Sequence, residues 1–197
     1  MEKFEQGAKE LEGAKILQPN EIDQAIECFA KAVADDWPNS REEAAGWVSN
    51  EFHNPSSTIF GVYDKDNIVG TCSLVPIDFV FEKMSENERQ MVLVSLNQEL
   101  KIDLTKAIFI GGFSVGQEYE GKGVSWQLFT SAENFAIENN YKALVAHTAR
   151  PSKKYKKIQS LPIALRKYGM RELPLPNKIF YSSPNDLEKV WLYKLLK

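Results

Sequence analysis

Gly121 and Gly123 flank a single lysine in Glu118-Tyr119-Glu120-Gly121-Lys122-Gly123-Val124-Ser125, between an apolar run, Ala107 to Val115, and a helix-period stretch. Glycines one residue apart let the backbone turn tightly. Several free N–H groups then aim at one point, where the start of the helix adds about half a positive charge from its macrodipole. The natural occupant is an anion such as a phosphate or pyrophosphate. Gly-x-Gly by itself is common in turns. The dinucleotide fingerprint needs a third glycine, and Ser125 and Trp126 follow instead; no Gly-Lys-Ser/Thr closes a nucleoside-triphosphate loop either.

Read together, Phe113-Ser114-Val115-Gly116-Gln117-Glu118-Tyr119-Glu120-Gly121-Lys122-Gly123-Val124-Ser125 resembles the acyl-CoA binding signature of the GNAT N-acetyltransferases. That signature runs hydrophobic-x-Val, a short turn, then Arg/Gln-x-x-Gly-x-Gly/Ala at the head of a helix. The resemblance implies acetyl-CoA as acyl donor, with no metal. It places Phe113, Val115, Glu120, Gly121, Lys122, Gly123, Val124 and Ser125 at the donor site and Leu128 on the apolar face of the helix. Glu120 stands where the family usually carries Arg or Gln, and Ser125 where it carries Gly or Ala. A carboxylate beside a pyrophosphate is unfavourable unless it points to solvent or pairs with Lys122; the backbone N–H groups do not depend on it. Ile68-Val69-Gly70 is a common GNAT phrase, and Ala164-Leu165-Arg166-Lys167-Tyr168-Gly169-Met170 is an altered copy of Leu-Tyr-x-x-x-Gly-Phe. The resemblance spans roughly Ile59 to Gly169.

Acyl transfer to an amine needs a thioester held still, an amine without its extra proton, and help for the departing thiolate. An alkylamine with a pKa of about 10 needs a base or a water relay at neutral pH, whereas a thiol of pKa about 8.5 leaves with modest help. The edge of the strand ending at Phe113-Ser114-Val115 would pair with the pantetheine arm as with another strand, and its N–H groups would polarise the carbonyl. That strand holds no carboxylate, and Leu165 stands at the family's tyrosine. The catalytic candidates are therefore Tyr168, His147 and Ser114. Tyr168 lies three residues on, about 300° around a helix, and either reaches the cleft or packs in the core. His147, at a strand end, serves the cleft or the packing. Ser114 donates to sulfur or substrate, or only to the turn.

These groups need a frame. Ile22, Ala25, Ile26, Phe29 and Val33 repeat at helical spacing after Asn20, read as an N-cap, with Ala14 to Leu17 as an edge strand before them. Ser40-Arg41-Glu42-Glu43 is a capping box for a helix whose inner face is Ala44, Trp47, Val48 and Phe52, stopped by Asn54-Pro55. Thr58 to Tyr63 and Asn67 to Val75 read as a hairpin. Met84 to Leu100 reads as a helix with Arg89, Leu93, Leu96 and Leu100 on one face, part of an inserted element at about 83–104 on the acceptor side. Val124, Leu128, Ala132, Phe135 and Ala136 stripe the helix after the glycine loop, and Lys142 to His147 completes a β-α-β unit. Ser160 to Lys167 is helical. Ile179 to Tyr181 and Val190 to Leu195 suit a closing pair of strands, with a terminal helix from Asp186 as the other reading.

The fold expectation is a single α/β domain over 1–197, three-layered, with a mixed, mostly antiparallel sheet flanked by helices and split near Val115. A chain of 197 residues, 43% apolar and 26% charged, has material for one ample core. Net charge of -3 argues against a protein that coats nucleic acid or an anionic membrane. The run Lys153-Lys154-Tyr155-Lys156-Lys157 reads first as a solvated loop, then as a contact for the CoA 3′-phosphate, and third as a nucleic-acid patch. Trp37, Trp47, Trp126 and Trp191 read as core or cleft wall. Cys28 and Cys72 are isolated, which suggests neither disulfides nor a zinc site and fits a reducing, cytoplasmic setting. The expected activity is acetyl transfer from acetyl-CoA to a small-molecule or peptide amine; the rival is a GNAT-fold module that binds acyl-CoA or a partner without turnover. A homodimer stays open.

Overall fold

The computed structural model describes residues 11, 13–36, 40–151, 160–181 and 187–197. Within them the strands are β1 (Lys15–Ile16), β2 (Thr58–Asp64), β3 (Asn67–Pro76), β4 (Ala107–Val115), β5 (Ala143–Ala149), β6 (Arg171–Glu172), β7 (Ile179–Phe180) and β8 (Glu188–Leu195). The helices are α1 (Ile22–Asp36), α2 (Arg41–Phe52), α3 (Ile77–Phe81), α4 (Glu86–Leu100), α5 (Val124–Glu138) and α6 (Ser160–Lys167). One sheet runs in the order β1-β2-β3-β4-β5-β8-β6, with β7 also on β8. Neighbours are antiparallel except β4 and β5, the parallel pair joined through α5.

Alternation along the strands makes the layers. Cys72, Leu74, Ile108, Ile110, Leu144 and Leu192 face α5 and α6, where they meet Leu128, Phe129 and Leu161. On the other face Phe109, Val145 and Trp191 pack on Phe81, Val92 and Leu96 of α3 and α4. Ile59 and Ile68 there pack on Ile22, Val48 and Phe52 of α1 and α2. The helices thus enclose both faces of the sheet.

β4 is bent. Gly112 has φ 49, and the β3–β4 register slips between Thr71 and Ser73, as expected when a left-handed glycine forms a bulge. β4 pairs with β5 only from Ala107 to Phe109, opposite Ala143 to Val145. The sheet therefore opens from Ile110 onward, some residues before the expected split at Val115.

Several local expectations change. The start of α1 is fixed not by Asn20 but by a 3-10 turn, Pro19–Glu21, in which the Gln18 N–H donates to Glu21 Oε2 at 2.7 Å. The Ser40 box is present, with the Glu43 N–H 3.2 Å from Ser40 Oγ and the Ser40 N–H 2.8 Å from Glu43 Oε2. Trp47 turns out to solvent, 42% exposed, because Ala44, Val48 and Phe52 fill the inner face. Ser85 caps α4, whose fully buried residues are Val92, Ser95, Leu96 and Leu100, with Leu93 half-buried against the same core and Arg89 half-buried. The short α3 and the two-residue β6 have too few residues for a periodic signal. Glu188 onward is strand, which excludes the terminal-helix reading over those residues. Trp191 is core, Trp126 is 54% exposed, and Trp37 lies outside the described residues.

Candidate active site

Gly121 and Gly123 both take positive φ, 74 and 86, and a Cβ on either would meet nothing within 4 Å. The turn is thus left-handed with open space in front of it. α5 starts its ladder at Gln127, whose N–H donates to the Gly123 carbonyl at 3.1 Å. The N–H groups of Val124, Ser125 and Trp126 precede that first bond and have no partner within the helix. The loop is anchored on both sides: Tyr119 Oη donates to Asp64 Oδ2 at 2.7 Å, and Lys31 Nζ lies 3.8 Å from Glu118 Oε1. Lys122 Nζ sits 4.8 Å above the Tyr119 ring, and Glu120 is exposed. Val124 is buried against Gly70, where a Cβ would lie 2.6 Å from Val124 Cγ1, so Val124 can offer a ligand only its N–H. Donors without a partner, a lysine and unfilled space suit the pyrophosphate of an acyl-CoA.

A second feature lies along β4 toward the bulge. Glu51, in the last turn of α2, carries its carboxylate to Gly111 and Gly112; a Cβ on Gly111 would lie 2.5 Å from Glu51 Oε1. Ser73 Oγ donates to the same Oε1. Burial pushes the Glu51 pKa up to about 7, only partly offset by Ser73 and by Lys83. A carboxyl that titrates near neutrality, at the point where β4 leaves β5, can take a proton from an amine. Sequence reasoning missed it, because Glu51 reads as one more charge near a helix end. The signal that could have found it is the Gly111-Gly112 pair, since glycines inside a strand mark a close approach.

The sequence candidates separate. Tyr168 is 6% exposed and stacked on Phe129, ring centroids 4.2 Å apart, with Phe113 at 6.0 Å and Trp126 at 6.1 Å. Its hydroxyl is buried with no hydrogen-bond partner among the described residues. Burial raises its pKa, and the nearby Ser125 side chain offsets part of the rise. The fold therefore gathers Tyr168, Phe113 and Ser125 beside the glycine loop. Ser114 is buried: Thr71 Oγ1 donates to the Gly112 carbonyl at 2.9 Å, which leaves the Ser114 hydroxyl to donate to Thr71 Oγ1 at 3.0 Å. His147 lies on the other face of the sheet, 5.2 Å from both Phe109 and Trp191, with Nδ1 3.2 Å from the Tyr181 hydroxyl. Burial, helped by Lys189, pushes its pKa down to about 3. It is neutral at physiological pH and packed among aromatic rings. Val115 is half-buried on the face of α5. The basic run Lys153 to Lys157 lies outside the described residues.

The same fold recurs in solved structures. An N-acetyltransferase from Staphylococcus aureus Mu50 is 14% identical, with TM-score 0.57 over 95% of this chain and 99% of that one. The ribosomal-protein-S18-alanine N-acetyltransferase from Escherichia coli is 9% identical, TM-score 0.60, over 93% of each chain. A GCN5-related N-acetyltransferase from Kribbella flavida is 10% identical, TM-score 0.59, over 96% and 100%. At such identities the likeness is one of fold. Among curated proteins none matches the chain in sequence. The model of the acetyltransferase (GNAT) family matches residues 26–155, starting and ending earlier than the stretch its motifs suggested. With a match over well more than half its length, this chain belongs to the GNAT acetyltransferase family.

Proposed function

We propose that the protein is an N-acetyltransferase that moves an acetyl group from acetyl-CoA to an amine. The observation that carries this reading is the left-handed Gly121–Gly123 turn, with free N–H groups, at one end of a β4 edge that has the buried Glu51 carboxyl at its other end. Gly121, Lys122, Gly123 and the first N–H groups of α5 hold the pyrophosphate. The edge from Gly111 to Val115 fixes the pantetheine, and positioning supplies much of the rate. Glu51 takes the proton from the amine as nitrogen bonds to the carbonyl carbon and the carbon–sulfur bond breaks. The raised pKa of Tyr168 suits a hydroxyl that donates a hydrogen bond to the departing sulfur. A thiolate of pKa about 8.5 does not need that proton outright.

A second reading, a module that binds acyl-CoA without turnover, is favoured by Leu165 at the family's tyrosine and by Glu120 on the loop. Titrating the ligand-free protein with acetyl-CoA by calorimetry, and assaying thiol release with a panel of amines, separates the two. Saturable binding with release supports the enzyme; binding without release supports the module. No binding removes both. Desphospho-CoA in parallel reports whether a 3′-phosphate contact, proposed for Lys153 to Lys157, exists.

A further inference from the structure

The geometry points to a donor pocket that takes an acetyl group and excludes longer acyl chains, with Phe52 setting the limit. This rests on the acyl-CoA reading above. Pantoate, β-alanine and cysteamine in line are about as long as four to five residues of extended chain. Counted back from Gly116, beside the anion turn, that length ends at Gly112 and Gly111. The thioester therefore falls at the bulge, beside Glu51 and Ser73, and the acyl tail must fit in what space remains.

Little remains. Ahead, β4 and β5 close into paired strands at Phe109 and Val145. On the helix side, a Cβ on Gly112 would lie 2.2 Å from Phe52 Cε1 and 2.8 Å from Cζ. Phe52 is 3% exposed and edge-on to Phe29 at 6.3 Å, so the ring is held by packing rather than free in solvent. Glu51 fills the next position along β4. A methyl group fits beside such a wall, whereas each further methylene must displace an ordered ring or force the strands apart. Glu51 and Phe52 are adjacent in α2, so one helix end supplies both the base and the size limit.

Calorimetry of the full chain with CoA, acetyl-CoA and butyryl-CoA tests this. CoA and acetyl-CoA are expected to bind within about threefold of each other and butyryl-CoA about tenfold or more weaker. Phe52→Leu, and more so Phe52→Ala, should shrink the butyryl-to-acetyl difference by about tenfold. Equal affinity of the unmutated protein for acetyl-CoA and butyryl-CoA overturns the proposal, and so does an unchanged ratio in a variant that still melts cooperatively. Should both variants fail to fold, the ratio in the unmutated protein decides alone. Absence of discrimination in the unmutated protein, with CoA binding intact, sinks only the size limit; failure to bind CoA at all sinks the acyl-CoA reading on which it rests.

Discussion

A carboxyl group that leaves water for the space between Ser73 and Gly111 loses hydration that one serine hydroxyl does not replace, and its pKa rises toward the range where a base is useful. That shift has a cost in stability. With an ordinary value of 4.5 and a folded value of about 7, Glu51 favours the fold below pH 4.5, and this contribution is lost as pH rises through about 7. Glu51→Gln should therefore raise the melting temperature at pH 8 much more than at pH 5, by a free energy of up to about 3 kcal/mol. The same change should slow thiol release roughly 10²- to 10⁴-fold with any amine the unmutated protein accepts. A variant with full rate and no pH-dependent gain in stability would show that Glu51 is not the base.

A bulge and a turn, more than any single side chain, make the slot. β4 leaves β5 after Phe109 and kinks at the Gly112 bulge just beyond, which leaves an edge free to pair with a ligand. At the other end of the edge, the turn through Gly121 and Gly123 hands the chain to α5 with its first donors free. Gly123→Val places a β-branched residue at φ 86, a strain of about 1–3 kcal/mol, and fills the open space in front of the loop. Acetyl-CoA binding should fall below detection in calorimetry, while thermal unfolding stays cooperative at a modestly lower temperature. Gly46→Ala, in the middle of α2 where a Cβ meets nothing within 4 Å, should leave affinity as it was. Equal affinity in both variants would move the anion site elsewhere.

Across the whole molecule, the sheet keeps the loop and the base on one edge and puts His147 on the far side of Phe109, inside the packing around Trp191. A neutral imidazole there stabilises the fold above about pH 6.5, and that contribution is lost as pH falls toward about 3, because the unfolded chain takes up the proton first. His147→Phe keeps an aromatic ring in the box and removes the titration. Urea unfolding at pH 7 and pH 4 should differ less in the variant than in the unmutated protein, by about 3 kcal/mol at most. An identical pH dependence would mean that His147 does not titrate with folding.

The sequence alone determined what is local. The glycine turn, the Ser40 capping box, the β2–β3 hairpin and the β-α-β unit through α5 each follow from contiguous residues whose spacing or turn chemistry favours one local structure, whereas the closing segment from Glu188 reads as strand or helix until pairing with β5 decides it. Even there, side-chain direction was settled by packing: Trp47 sits on the helical face with Ala44 and Val48, yet the smaller residues reach the sheet and the indole stays in water. Only the tertiary structure decided which distant residues meet. Glu51 lies 22 positions from Ser73 in the chain and reaches Gly111 because two glycines leave room in β4. Tyr168, just past the end of α6, meets Ser125 and Phe129 because α6 packs on β5 on the same face of the sheet as α5, and His147 faces away because strand alternation puts it with Phe109 and Val145. Such meetings depend on sheet order and register, which long-range burial selects and which no run of neighbouring residues encodes.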